Sequence, residues 1–155
     1  SIVRNMHSKM NVTIRKAEKK DFPSVIFLMK EFAHFQKSPG KVTISVEQLD
    51  EDEAYFQCIV AETDDKTIIG FASFFFAYYS WSGRAIYLDD LYITGLYRNT
   101  GVGKMLLDNV VSFAKEQKCK KVRWQVSKWN KNAIEFYTQM GAITDDVDIN
   151  CDLKI

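Results

Sequence analysis

Arg98-Asn99-Thr100-Gly101-Val102-Gly103 stands between a strand-like run and a long amphipathic pattern, where a strand hands over to a helix. The first N–H groups of a helix have no partner within it, so such a junction offers an anion site. Gly101 and Gly103 let the backbone take positive φ and approach a phosphate closely. The familiar nucleotide loops do not fit. A P-loop needs Gly at the position of Arg98 and Ser or Thr after Lys104, where Met105 stands, and a dinucleotide fingerprint needs a small residue where Leu106 stands. By spacing alone, a tight turn explains the two glycines as well as a phosphate does.

Three further side chains have chemical potential. Asp89 and Asp90 are neighbours in a strand pattern, so they face opposite sides unless a bulge intervenes, a common device beside active sites. An ion pair at a strand end is the plain alternative. Tyr137 lies on the apolar stripe of its helix, a position that by itself describes a core tyrosine with a satisfied hydroxyl. Cys58, Cys119 and Cys151 show no CxxC spacing and lie far in sequence from His7 and His34, so no metal site is expected. They read as free or core thiols of a reducing cytosol, and a cytoplasmic protein is expected.

The elements that must position these groups follow from periodicity. Val12 to Arg15 predicts a first strand, and Asp21 is placed to cap a helix reaching about Gln36, with Val25, Ile26, Met29, Phe32 and Ala33 on one face. Ser45 to Asp52 predicts a short helix capped by Ser45. From Tyr55 the period becomes two, and Tyr55 to Glu62, Thr67 to Tyr79 and Arg84 to Ile93 predict an antiparallel meander. Gly101 to Lys118 is a helix with Val102, Leu106, Val110 and Phe113 on one stripe, followed by a strand at Lys121 to Ser127. A helix capped by Asn130 carries Ala133, Phe136, Tyr137 and Met140 and stops at Gly141; Asp148 to Ile155 predicts a last strand. The result is an α/β fold, a mixed and mostly antiparallel sheet flanked by helices.

Composition narrows the partners. The 155 residues carry 21 basic and 20 acidic side chains, a net charge of +1, which lacks the electrostatic footprint of a nucleic-acid or membrane binder. No apolar run approaches the roughly 20 residues of a membrane span. Residues 1–11 read as a flexible leader before a single domain at 12–155, with a small molecule as the expected partner.

Arg98-x-x-Gly101-x-Gly103, after Tyr87-Leu88-Asp89-Asp90-Leu91-Tyr92-Ile93 and before Trp129-Asn130 and Phe136-Tyr137-x-x-x-Gly141-Ala142, resembles the GCN5-related N-acetyltransferase (GNAT) family over roughly Val12 to Ile155. Ser80 to Asp90 and Trp129-Asn130 are similar to the diamine acetyltransferases, in particular the branch acting on thialysine. The resemblance implies the GNAT acyl-CoA N-acyltransferase fold, acetyl-CoA as cofactor and a homodimer. It implies that the backbone of Leu91, Tyr92 and Ile93 pairs with the pantetheine arm. The loop headed by Arg98, with Asn99, Thr100, Gly101, Val102, Gly103 and Lys104, would cradle the pyrophosphate; Asn130, Lys131, Asn132 and Ala133 would flank the far side. Tyr137 is then the acid that protonates the departing CoA thiolate, and Asp89, with Asp90, recognises and helps deprotonate the substrate ammonium through water.

Departures from the family sharpen the substrate question. Relatives usually carry Glu at the position of Asp89, and Tyr-Glu or Phe-Glu where this chain has Phe35-Gln36, so one substrate-recognising carboxylate is missing. Arg123, Trp124 and Gln125 occupy a strand that lines the substrate channel in relatives, although Trp124 suits a core equally. Asp145 to Asn150 lacks the Glu-Gly-Trp stretch common in relatives. The expected activity is acetyl transfer to a primary amine of a small diamine or lysine-like amino acid, thialysine-like compounds preferred, by direct attack in a ternary complex. The alternatives are a polyamine (spermidine or spermine) or protein-lysine acetyltransferase, and a non-catalytic acyl-CoA-binding module.

Overall fold

A computed structural model describes residues 11–155, so the expected leader at 1–11, apart from Asn11, lies outside the described residues. The chain forms two compact units, the described residues up to Trp124 and then Gln125–Ile155. The first holds a five-stranded sheet in the order β1 (Val12–Lys16), β2 (Gln57–Thr63), β3 (Ile68–Tyr79), β4 (Gly83–Ile93) and β5 (Val122–Trp124). Neighbours are antiparallel except β4 and β5, which run parallel across a helical crossover, as the mixed-sheet reading expects.

Register divides the side chains between two faces. Cys58, Val60, Phe71 and Tyr92 form one face and pack with Val25 and Leu28 of α1 (Phe22–Phe35). On the other face, Phe74 and Phe76 lie 5.6 and 5.8 Å, centre to centre, from Phe113 of α3 (Val102–Glu116). The α3 stripe Val102, Leu106, Leu107 and Val110 is buried, as its periodicity requires. Helix α2 (Val46–Glu51) starts where Ser45 accepts the Gln48 N–H at 3.1 Å and buries Leu49 against Phe22 and Ile26.

Three expectations are corrected. Asp21 occupies the cap position of α1, but its carboxylate accepts two bonds from the Arg15 guanidinium, at 2.7 and 2.9 Å, and one from the Glu18 N–H rather than a helix N–H. The bidentate fork is the stronger partner, and Arg15 reaches on to Glu62 at 2.7 Å. β5 is three residues long, not seven. The strand expected at Asp148 to Ile155 does not form: its alternating Ile149, Cys151, Leu153 and Ile155 stay exposed, because alternation makes a strand only where a neighbour supplies the ladder, and Asp and Asn dilute the segment's β preference.

Gly70 sets how the end of β4 lies. A Cβ there would sit 2.5 Å from Ile93 Cδ1 and 3.0 Å from the Tyr92 carbonyl oxygen. Gly70→Ala is therefore expected to overpack this junction, costing about 2 kcal/mol and about 6 °C in Tm by thermal unfolding.

Candidate active site

The strand that carries the acidic pair is bent at that pair. β3 and β4 are in register from Tyr79↔Gly83 to Phe74↔Leu88 and again from Ser73↔Asp90 to Gly70↔Ile93, leaving Asp89 as the extra residue of a bulge. The bulge switches faces: Leu88 lies with Phe74 on the α3 side, whereas Asp90 lies with Ser73 and Tyr92 on the α1 side. Asp90 thus leaves the face that simple alternation from Leu88 would assign it.

The same bend frees an edge. β5 pairs with β4 only through Ile86, Tyr87 and Leu88, so from Asp89 to Ile93 no strand among the described residues lies beside β4 on that side. Thr94 donates its N–H to Ile69 of β3 at 2.9 Å, so by strand alternation the Ile93 N–H points to the open side. Leu91 and Ile93 can therefore offer main-chain groups to an extended ligand, whereas the Tyr92 main chain, expected with them along the ligand, faces β3 by the same alternation.

Beyond the turn Gly95–Tyr97 comes the glycine loop. Asn99 (φ 62°) and Gly101 (φ 88°) are left-handed, Thr100 Oγ1 donates to the Tyr97 carbonyl, and Gly101 caps α3 without a side-chain bond. The Met105 N–H donates to the Gly101 carbonyl at 3.1 Å, so the N–H groups of Val102, Gly103 and Lys104 belong to the donor-rich first turn. Lys104 pairs with Asp108 at 2.7 Å across one helical turn.

Burial and then the charge of Asp89 push the Asp90 carboxyl up to about 6. Asp89 itself is surface-exposed, yet the protein mass around it still holds its carboxyl above the usual range. Beside Asp90, the buried Cys58 thiol is pushed up to about 12, mainly by burial, so it is an inert core thiol. Pairing places Arg123 with Tyr87 on the Asp90 face, where its guanidinium carbon lies 4.8 Å from the centre of the Tyr79 ring; Trp124, paired with Leu88, belongs to the opposite face. Sequence adjacency had grouped the two, and strand alternation separates them.

In the second unit, Asn130 accepts the Ala133 N–H at 3.3 Å and starts α4 (Lys131–Gln139), with Lys131 and Asn132 in its first turn. Gly141 (φ 97°) ends it, and the Ala142 N–H closes back on the Tyr137 carbonyl at 3.1 Å. Tyr137 is half-buried with its ring edge-on to Phe136 at 5.6 Å, and burial raises its phenol above the ordinary value. Gln125 Nε2 donates to Asn150 Oδ1 at 3.5 Å.

One group was not anticipated. Phe35, at the end of α1, lies under the Arg98 guanidinium, which also bonds to the Tyr92 hydroxyl; Glu31 accepts from Thr94 Oγ1 at 3.2 Å. The signal was present: Glu31 lies three residues after the buried Leu28, a carboxylate on the apolar stripe of α1.

A strand with a bulge and an open edge, a left-handed glycine loop and a helix N-terminus follow one another, a framework able to hold an extended ligand that carries phosphates. The acetyltransferase (GNAT) family model matches residues 13–142, and the chain belongs to that family. A thialysine N-epsilon-acetyltransferase of Sus scrofa is 32% identical over 143 residues, 85% of this chain and 84% of the relative. A spermidine/spermine N(1)-acetyltransferase-like protein 1 of Homo sapiens is also 32% identical over 84% of this chain, which spans 20% of that longer protein. Among solved structures, an aminoglycoside acetyltransferase from an uncultured soil metagenomic sample shares the fold with a TM-score of 0.77 at 23% identity, covering 92% of this chain and 97% of the other. The protein is an N-acetyltransferase that transfers acetyl to amines, with acetyl-CoA as the acyl donor. Its residues fit that donor: the loop has the left-handed turns and free N–H groups an anion needs, and a Cβ at Gly101 would point into open space. Among the described residues no helix is long and apolar enough to cross a membrane.

Proposed function

We propose that this enzyme acetylates a primary amine of a small diamine or lysine-like amino acid, with thialysine-like compounds preferred, by direct attack in a ternary complex, as a cytoplasmic homodimer. The observation that carries the reading is the bulge at Asp89, which sets an acidic pair directly beside the open edge of β4. An ammonium group recognised by the pair then lies next to backbone able to hold an extended acyl donor. Placing both reactants side by side contributes rate by orientation.

Acetyl-CoA, when bound, supplies a thioester carbonyl carbon as the electrophile. Leu91 and Ile93 would hold the donor's amide arm at the open edge and Asn99 to Lys104 its phosphates, and the family resemblance assigns Asn130 to Ala133 to the same donor. The Ile93 N–H faces the open side, where it can stabilise negative charge on an acyl oxygen. Asp90 and Asp89 hold the ammonium and take its proton, Asp89 through water because its arm is short. Tyr137 Oη gives its proton to the leaving sulfur, and its raised phenol keeps that proton in place until then. The exposed Phe76, Tyr78 and Trp81 around the β3–β4 turn offer an apolar patch for a second copy.

The deciding experiment is a panel of thialysine, lysine, spermidine and putrescine with release of the CoA thiol as readout. Thialysine should show the highest kcat/KM. A long polyamine gains from carboxylates at spaced positions, each shielded charge-assisted contact adding about 1.5 to 3 kcal/mol, and Gln36 removes one. Gln36→Glu should raise kcat/KM for spermidine more than for thialysine; a wild-type preference of about tenfold for spermidine would sink the lysine-like assignment.

Asp90 also predicts a pH dependence. Its carboxylate forms only as pH rises through about 6, so kcat/KM for the amine should show an acidic limb there that Asp90→Asn abolishes along with most amine binding. The stability sign is opposite. A carboxyl raised in the folded state binds its proton more tightly than in the unfolded chain, so folding loses stability as pH rises from the ordinary carboxylate range to about 6. Asp90→Asn should remove that loss, which urea unfolding at pH 4.5 and pH 7, both roughly bracketing the shift, will measure.

A further inference from the structure

The side chain at the head of the phosphate loop is turned toward the other half of the site. Arg98 Nη2 donates to the Tyr92 hydroxyl at 3.0 Å and Nε to the Ile93 carbonyl at 3.4 Å. Its guanidinium carbon lies 4.5 Å from the centre of the Phe35 ring and 5.5 Å from that of Tyr92. The Tyr92 ring in turn lies 5.0 Å from Phe32, one turn earlier on α1. Beneath this stack, Glu31 Oε1 accepts from Thr94 Oγ1 at 3.2 Å, while its other carboxylate oxygen is buried without a hydrogen-bond partner. A buried carboxylate oxygen without a hydrogen bond is costly, and Glu31 and Arg98 both act on the Tyr92 hydroxyl, which brings the cation within reach of that charge.

We propose that Arg98 is a positioning residue for the amine half of the site, fastening the glycine loop and the end of β4 to the last turn of α1 and so fixing Phe35 and Gln36. Guanidinium suits the task because its flat face stacks on rings while its edge donates. This inference rests on the amine-acetyltransferase reading for its kinetic consequence, but the fastening itself does not.

Two readouts test it. In amide hydrogen exchange, Arg98→Met and Tyr92→Phe should each speed exchange at residues 33–36 and at 94–98, by about tenfold for Arg98→Met, leaving the first two turns of α1 unchanged. In kinetics with thialysine, Arg98→Met should raise the amine KM about tenfold while the Kd for CoA by calorimetry stays within about threefold. Arg98→Lys should restore both readouts only in part, because a point charge cannot stack on two rings. If exchange at the end of α1 is unchanged in Arg98→Met, the fastening is absent. If instead CoA affinity alone falls about tenfold, Arg98 is a phosphate ligand and the inference is overturned. Should none of the panel amines be acetylated by the unaltered enzyme, the functional reading fails while the exchange data still decide the fastening.

Discussion

Tyr137→Phe is expected to lower kcat on the order of 10²-fold while leaving CoA affinity within about threefold. The hydroxyl is the only group removed, so packing of the ring against Phe136, 5.6 Å away, is kept and the fold should be retained. A thiolate leaving group has an ordinary pKa of about 8 to 9, below that of a phenol, so Tyr137 gives its proton only as the C–S bond breaks. Burial raises the phenol further, which keeps the acid protonated through the neutral range and predicts no basic limb in kcat from this group there. Stopped-flow release of the CoA thiol across pH separates this from a packing role. An unchanged kcat would return Tyr137 to the helix stripe on which its spacing first placed it.

What could be read from the residues, and what could not, divides along a physical line. Local signals were legible. Ser45 and Asn130 cap their helices, Gly141 stops the last one, and the Val102, Leu106, Val110 stripe is buried, because each depends on neighbours within a turn or two. The acidic pair posed a definite alternative, opposite faces or a bulge, and only the register of β3 against β4 decides it. Long-range pairing was less legible. Asp148 to Ile155 has a strand's alternation without a strand's neighbour, and the length of β5 depends on where β4 bends away. Asp21 stands at the cap position yet serves Arg15, since a residue six positions earlier in sequence offered a better donor set. The Glu31, Tyr92 and Arg98 group joins residues up to 67 positions apart, and of its members only Glu31 carried a local signal.

Gly103→Val should weaken CoA binding by about tenfold or more without lowering Tm, and the contrast with Gly101 explains why it is the better probe. At Gly101 the backbone φ is 88°, so any side chain there is strained and a β-branched one strongly so; a loss of affinity in Gly101→Val would mix loop distortion with obstruction of the ligand. Gly103 lies in the first turn of α3 with helical backbone, and an added Cβ meets only Ile93 Cγ1 at 3.8 Å, an ordinary contact. Replacing a helical glycine also removes backbone freedom from the unfolded chain, which favours folding by a few tenths of a kcal/mol, up to about 1 for alanine. The fold therefore tolerates a side chain at this position, and only a ligand seated on the N–H groups of the first turn objects to one. Gly103→Ala, smaller by two methyl groups, should keep CoA affinity within about threefold and serves as the control. Calorimetric titration with CoA, paired with thermal unfolding of the same samples, reads both quantities at once. If Gly103→Val binds CoA as tightly as the unaltered enzyme, the glycine loop is a turn without a phosphate, and the donor must be held elsewhere along β4.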